Sequence, residues 1–172
     1  ILFFSAQLFS QWAVKPVVLI KGNVRNERNM DPVAAKITYE SLPSGTEAGV
    51  ARSNPKDGKY QIILPYGKKY GYYALAEGYY SVTQYLDVTK LEKYTEMDEI
   101  NLFLAPVEKD QVVRLNSIHF LKNTATIKDE SYPELNRLAE FLKINKKIEI
   151  EISGHTDSDG DDNENMKLSQ AR

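Results

Sequence analysis

Between Val17 and Pro106 apolar and polar residues alternate over short runs separated by turn signals. Val18, Ile20, Gly22 and Val24 share one face of a first run, and Ala35, Ile37 and Tyr39 alternate with Lys36, Thr38 and Glu40 in a second. A period of two predicts strands with one buried face. Asn54-Pro55-Lys56-Asp57-Gly58 is a turn signal, since proline presets φ and glycine accepts the left-handed region. Tyr60, Ile62 and Leu64 alternate after it until Pro65-Tyr66-Gly67 ends the run. Further strands are expected at 71–77, at 79–88 and, through Ile100, Leu102 and Leu104, at 97–105. Six or seven strands over residues 17–106, with no useful stretch of helical period, predict a small antiparallel β-sandwich.

The pattern changes after Pro106-Val107-Glu108-Lys109-Asp110, a short charged segment that marks the expected domain boundary. Val112, Val113, Leu115, Ile118 and Phe120 predict a buried strand, and Leu121–Thr126 a polar loop. Ser131-Tyr132-Pro133-Glu134 has capping-box spacing, with Ser131 as N-cap and Glu134 at the third helical position. The helix that follows carries an apolar stripe of Leu135, Leu138, Ala139 and Leu142, with Glu134, Arg137, Glu140 and Lys143 outside it. Asn145 is its expected stop. Ile148, Ile150 and Ile152 then alternate with Lys147, Glu149 and Glu151 in a half-buried strand, whose isoleucine face the leucine stripe is expected to cover. Ser153–Gly160 is polar, and a second helix places Asn165, Ser169 and Arg172 at i, i+4 and i+7, near one face. Strand, helix, strand, helix is an α/β order. The fold class expected is two domains, an all-β sandwich and a partial α/β unit.

Composition narrows the functional classes. The chain is 42% hydrophobic and 27% charged with a formal net charge of −2, and without a basic run or face it gives no sign of a nucleic-acid partner. With no cysteine there is no disulfide framework, thiolate zinc site or cysteine nucleophile, a composition that suits an oxidising compartment. Residues 1–14 carry no charge but are interrupted by Ser5, Gln7, Ser10 and Gln11, too short and polar for the roughly 20 apolar residues of a bilayer span. They read as a signal remnant or as the tail of a preceding domain, with Leu2-Phe3-Phe4-Ser5 as its last strand.

Gly22-Asn23-Val24, Asp57-Gly58-Lys59-Tyr60, Leu64-Pro65-Tyr66-Gly67, Tyr70 and Glu77-Gly78-Tyr79 resemble the carboxypeptidase regulatory-like domain, a transthyretin-like sandwich, over nearly all of 17–106. The resemblance implies an accessory or spacer module without peptidase activity, and no His-Glu-x-x-His or other zinc ligand cluster is present. Nine of the eleven tyrosines lie between Tyr60 and Tyr94. They suggest an aromatic platform for sugar, but strands favour aromatics for packing alone, and Tyr72-Tyr73 and Tyr79-Tyr80 must each split across two faces.

In the second region Ile118-His119-Phe120, Asn123, Ala125-Thr126-Ile127, Leu135, Leu138, Leu142, Ile150–Asp157, Gly160, Asn165, Leu168-Ser169 and Arg172 resemble the OmpA C-terminal-like peptidoglycan-binding domain. The match includes the interval from the His-Thr-Asp aspartate, Asp157, to the Leu-Ser-x-x-Arg arginine, Arg172. It covers 110–172, the N-terminal half of such a module, and a half module with an open sheet edge is expected to be poorly stable alone. The resemblance implies non-covalent binding of the peptidoglycan stem peptide, chiefly its meso-diaminopimelate residue. Residue chemistry agrees independently. The free end of diaminopimelate is a zwitterion, for which Arg172 offers a planar fork of donors and Asp157 an anionic acceptor. Asn165 both donates and accepts, and the backbone N–H groups near Asp162–Asn165 favour an anion. Asn123 and Thr156 match family positions that line the pocket. Where the family usually has Asp or Asn after the strand phenylalanine, this chain has Leu121, which removes a polar group from the expected rim.

Other chemistries fit less well. Asp157–Glu164 places aspartates at positions 1, 3 and 5 of a calcium loop, but Asp162 stands where glycine is needed and Leu168 where a bidentate glutamate is needed. His119 and His155 lack the partners of a metal site or general base. Glu149 and Glu151 share a strand face, and a solvated face explains them. The expectation is therefore an anchor to peptidoglycan without cofactor, metal or catalysis, periplasmic and associated with the outer membrane. The domain pairing further resembles subunits of outer-membrane assemblies such as the type IX secretion machinery, which implies protein partners. The rivals are an adhesive or sugar-binding sandwich and a peptidoglycan hydrolase.

Overall fold

The computed structural model describes residues 16–154 and 161–172. Among these residues nine strands precede the helices: β1 (Val17–Asn26), β2 (Lys36–Leu42), β3 (Thr46–Arg52), β4 (Lys59–Pro65), β5 (Lys69–Leu75), β6 (Tyr79–Tyr80), β7 (Gln84–Asp87), β8 (Thr95–Met97) and β9 (Leu102–Pro106). They form two sheets, one in the order β4-β1-β9-β6 with β8 also on β1, the other in the order β3-β2-β5-β7. β1 pairs antiparallel with β4 and parallel with both β8 and β9. The sheet is therefore mixed, where the alternating pattern predicted antiparallel pairing throughout. The expected strand at 79–88 is two, β6 and β7, in different sheets. The expected strand at 97–105 is interrupted between β8 and β9, and β3 is additional.

Alternation places the core as predicted. Val18, Ile20 and Val24 of β1 are fully buried with Leu64 beside Val18 on β4, and Ile37 and Tyr39 of β2 and Tyr70 of β5 join the same core from the other sheet. Tyrosines join the two sheets through a polar chain. The Tyr39 and Tyr60 hydroxyls are 3.0 Å apart, and Tyr60 donates at 2.6 Å to the Ile100 carbonyl, so Tyr39 donates to Tyr60. Tyr39 also stacks on Tyr72 at 4.9 Å. Burial raises the pKa of Tyr39, pushes Tyr60 up to about 12 and, with the Glu40 carboxylate beside it, pushes Tyr73 up to about 12. The sign of the resulting pH dependence follows. Above pH ~10 the unfolded chain ionises these tyrosines while the folded chain keeps their protons. Their contribution is complete below pH ~10 and is lost as the pH rises through about 12. Alkaline titration followed by near-ultraviolet circular dichroism should therefore show unfolding begin above pH ~10, and a melting temperature that is flat across this window would contradict it.

After β9 come a 3-10 turn (Asp129–Ser131), α1 (Tyr132–Ile144) and α2 (Asp162–Ala171). The strands expected at 112–120 and 148–152 are not formed: within these two segments only Phe120 makes a bridge, to Ile127. A period-two sequence becomes a strand only when a neighbour takes up its N–H and C=O groups. Here the first segment is paired only at its His119–Phe120 end, and in the second Ile150 and Ile152 are 43% and 70% exposed. Among its described residues the second region is thus helical with extended connections, without the expected sheet.

Candidate functional site

The C-terminal helix turns one face inward. Asn165, Leu168, Ser169 and Arg172 are half-buried while the other residues of 161–172 are exposed, which is the face predicted from the spacing. Asp161 caps the helix, its carboxylate accepting from the N–H groups of Asn163 and Glu164 at 2.9 and 3.1 Å, and its carbonyl accepting from Asn165. Those are amides that the sequence offered to a ligand anion. The chain's own aspartate occupies them instead, and the expected anion site at the helix start is corrected accordingly.

At the other end of α2, Arg172 meets the loop after Phe120. Its Nε donates to the Thr124 carbonyl at 3.1 Å, and its guanidinium lies 4.8 Å from the centre of the Phe120 ring, a cation over an aromatic face. Both contacts use Nε and the flat face, and neither uses the NH1/NH2 fork that suits a carboxylate. The loop is closed locally, with Leu121 N–H on Thr126 and Thr124 N–H on Leu121. Asn123 sits at φ +57° within it, a conformation asparagine tolerates because its short amide bonds locally. Gly154 approaches from the third side: a Cβ there would lie 3.4 Å from both the Arg172 Cβ and the Ser169 carbonyl.

Of the five ligand residues expected, the structure brings Arg172 and the Asn123 loop together and places Asn165 on the same helix face. Thr156 and Asp157 lie outside the described residues, as does His155. Sequence reasoning missed two partners of Arg172. Phe120 was read only as a strand residue, and Thr124 contributes a backbone carbonyl that no side-chain pattern reports. Ser131 stands at the N-cap of α1 as expected, but its hydroxyl makes no cap bond. It is fully buried, accepts from the His119 N–H at 2.8 Å and donates to the His119 carbonyl at 3.2 Å. Ser131 thus stands in for a strand neighbour of His119 and steadies the adjoining Phe120. Glu134, expected to complete the capping box, bonds Arg137 instead.

The tyrosines form no comparable site. Tyr60, Tyr70, Tyr72 and Tyr73 are buried, and the most exposed, Tyr85 and Tyr94, belong to different sheets or their approaches. Glu149 and Glu151 are exposed. Among the described residues no three acidic or histidine side chains converge on a possible metal position.

A solved structure, that of the Bacillus anthracis TIE protein, superposes with a TM-score of 0.43 at 16% identity, over 52% of this chain and 16% of that one. Outer membrane porin F of Pseudomonas fluorescens is 41% identical over 69 residues, 40% of this chain and 21% of the porin. Outer membrane porin F of Pseudomonas aeruginosa is 36% identical over 63 residues, 36% of this chain and 18% of the porin. The matched stretch thus spans about a fifth of each of these relatives. Residues 119–172 match the OmpA family, so the helical region that carries Phe120, Asn123, Asn165 and Arg172 is an OmpA family domain, joined to a largely β-sheet region before it.

Proposed function

We propose that this chain is a non-catalytic anchor that ties an outer-membrane or periplasmic protein, or a complex containing one, to the cell wall. In this reading the OmpA family domain binds the diaminopimelate of the peptidoglycan stem peptide, and the sandwich is a transthyretin-like spacer. The observation that carries it is the seating of Arg172 over Phe120 and against Thr124, beside Asn123, within an OmpA family segment. An arginine held by its Nε and its flat face presents its terminal nitrogens in a fixed direction. A free amino-acid carboxylate matches that fork in shape and charge. Asp157 supplies the acceptor for the ligand ammonium, with Asn165, Thr156 and Asn123 completing the pocket.

The names of the two Pseudomonas relatives place those proteins in the outer membrane, which supports the same setting here. Among the described residues no helix is long and apolar enough to cross a membrane. Attachment to an envelope assembly of the type IX secretion kind follows from the domain pairing and extends the same proposal. Asp157→Ala tests it. The variant should lose most of its co-sedimentation with diaminopimelate-type peptidoglycan, while wild-type protein releases no muropeptides detectable by chromatography. Undiminished retention of the variant would refute the pocket, and released fragments would favour a hydrolase.

A further inference from the structure

We propose that the outer face of β2 and β5, together with β6 and the turn before it, is a docking surface for α1, so that the sandwich and the OmpA family domain move as one body. The intervening chain does not impose this. Residues 107–117 contain no helix or strand, and Val112 is 94% exposed. A connection of this kind would leave the two parts free to reorient.

The contact made by α1 is specific at four points. Pro133, Arg137, Phe141 and Asn145 recur every fourth residue and so line one helix face. Pro133 sits on the turn between β2 and β3, where a Cβ on Gly45 would come within 2.7 Å of its ring. Arg137 donates to Glu40 of β2 at 2.9 Å and to Thr83 at 3.1 Å, and lies 5.3 Å over the Tyr73 ring of β5. Glu134 of its own helix accepts at 2.7 Å. Side-chain exposures of 15% for Arg137 and 10% for Glu40 put this pair largely out of water, where charge-assisted bonds are directional and poorly screened. Phe141 packs edge-on against Tyr80 of β6, the rings 6.0 Å apart at 84°. Asn145 closes the helix by donating to Phe141 and accepts the Gly78 N–H at 2.7 Å. These points lie on different sandwich elements and over three helical turns, which fixes both the rotation and the register of α1. Glu40, on the polar face of β2, is buried where Arg137 of the helix bonds it.

The order passes from α1 to the candidate site. Ser131, at the start of α1, holds both backbone groups of His119, and the next residue is the Phe120 that carries Arg172. The sandwich is then an orienting platform and more than a tether.

The described chain and its sequence contain no cysteine, so spin labels can be placed singly. The full chain carrying Ile63→Cys with Ala139→Cys, or Ile63→Cys with Met166→Cys, should give one narrow distance distribution for each pair by double electron–electron resonance. Glu40→Gln and Arg137→Ala should broaden both, and Phe141→Ala should abolish the single peak. A broad distribution in the parent labelled protein overturns the proposal, whether or not the variants fold. So does an unchanged narrow peak in folded Arg137→Ala and Phe141→Ala proteins. Peptidoglycan is absent from the measurement, so its outcome is independent of the ligand assigned to Arg172.

Discussion

Arg172→Ala should weaken binding to diaminopimelate-type peptidoglycan by about 10- to 100-fold while leaving the fold in place. Hydrogen bonds to a charged partner contribute about 1.5–3 kcal/mol each, and about 1.4 kcal/mol is tenfold in affinity. The proposed carboxylate contact is of this kind. Among the described residues, the Arg172 side chain, at the C-cap of α2, makes one bond to a loop carbonyl and lies over one ring face, so its removal costs the fold little. Arg172→Lys is the informative companion. Lysine keeps the charge but loses the fork, the Thr124 bond and the stacked plane over Phe120, and should recover only a minor part of the affinity. Sedimentation isotherms with purified wall, alongside circular dichroism of each variant, measure both. Full recovery by lysine would mean that Arg172 acts as a simple point charge.

Gly22→Ala should be the most damaging single methyl in the sandwich, lowering stability by about 3–5 kcal/mol, the upper end of what one substitution does. A Cβ at Gly22 would lie 2.0 Å from the Ile100 carbonyl oxygen and 2.9 Å from the Tyr60 ring. Neither neighbour moves freely. The Ile100 N–H bonds the Lys21 carbonyl at 3.0 Å, and its own carbonyl accepts from Tyr60 at 2.6 Å. Displacing the 98–101 segment therefore breaks the Ile100–Lys21 backbone bond and leaves the Tyr39–Tyr60 pair without its acceptor, each such loss costing about 1–3 kcal/mol. The opposing gain from a stiffer unfolded chain, about 0.4–1 kcal/mol, is too small to compensate. Thermal melting decides the matter, since an alanine variant that melts with the wild type would contradict this placement of the Ile100 carbonyl.

The sandwich core was legible because it is built by alternation: every second residue of β1 is buried, and no other arrangement of that sequence is as simple. β3 was not. Its sequence Thr46–Arg52 buries only Ala51, so at the edge of its sheet it shows almost no apolar period. The face of α1 was misread for a related reason. A leucine stripe at 135, 138 and 142 looks like the buried side, yet the residues seated on the sandwich are Pro133, Arg137, Phe141 and Asn145. An arginine held between two carboxylates buries a face that hydropathy scores as polar. Likewise Ser131 suits a cap and a buried clasp equally well by residue type, and only the position of His119 distinguishes them. At the site, spacing found the inward face of α2, while the contacts of Arg172 with Phe120 and Thr124 depend on a meeting of distant segments. Asp157 and Thr156 rest on the resemblance and the ligand chemistry alone.

The proposed anchor recognises a zwitterion whose carboxylate is held by Arg172. Peptidoglycan whose stem peptide carries lysine in place of diaminopimelate has the same ammonium but lacks that second carboxylate. Parallel sedimentation of the full chain with the two wall types is the most direct measurement. Binding to the diaminopimelate wall and at least about tenfold weaker binding to the lysine wall, one charged contact's worth, is the predicted result, and equal retention on both would contradict it.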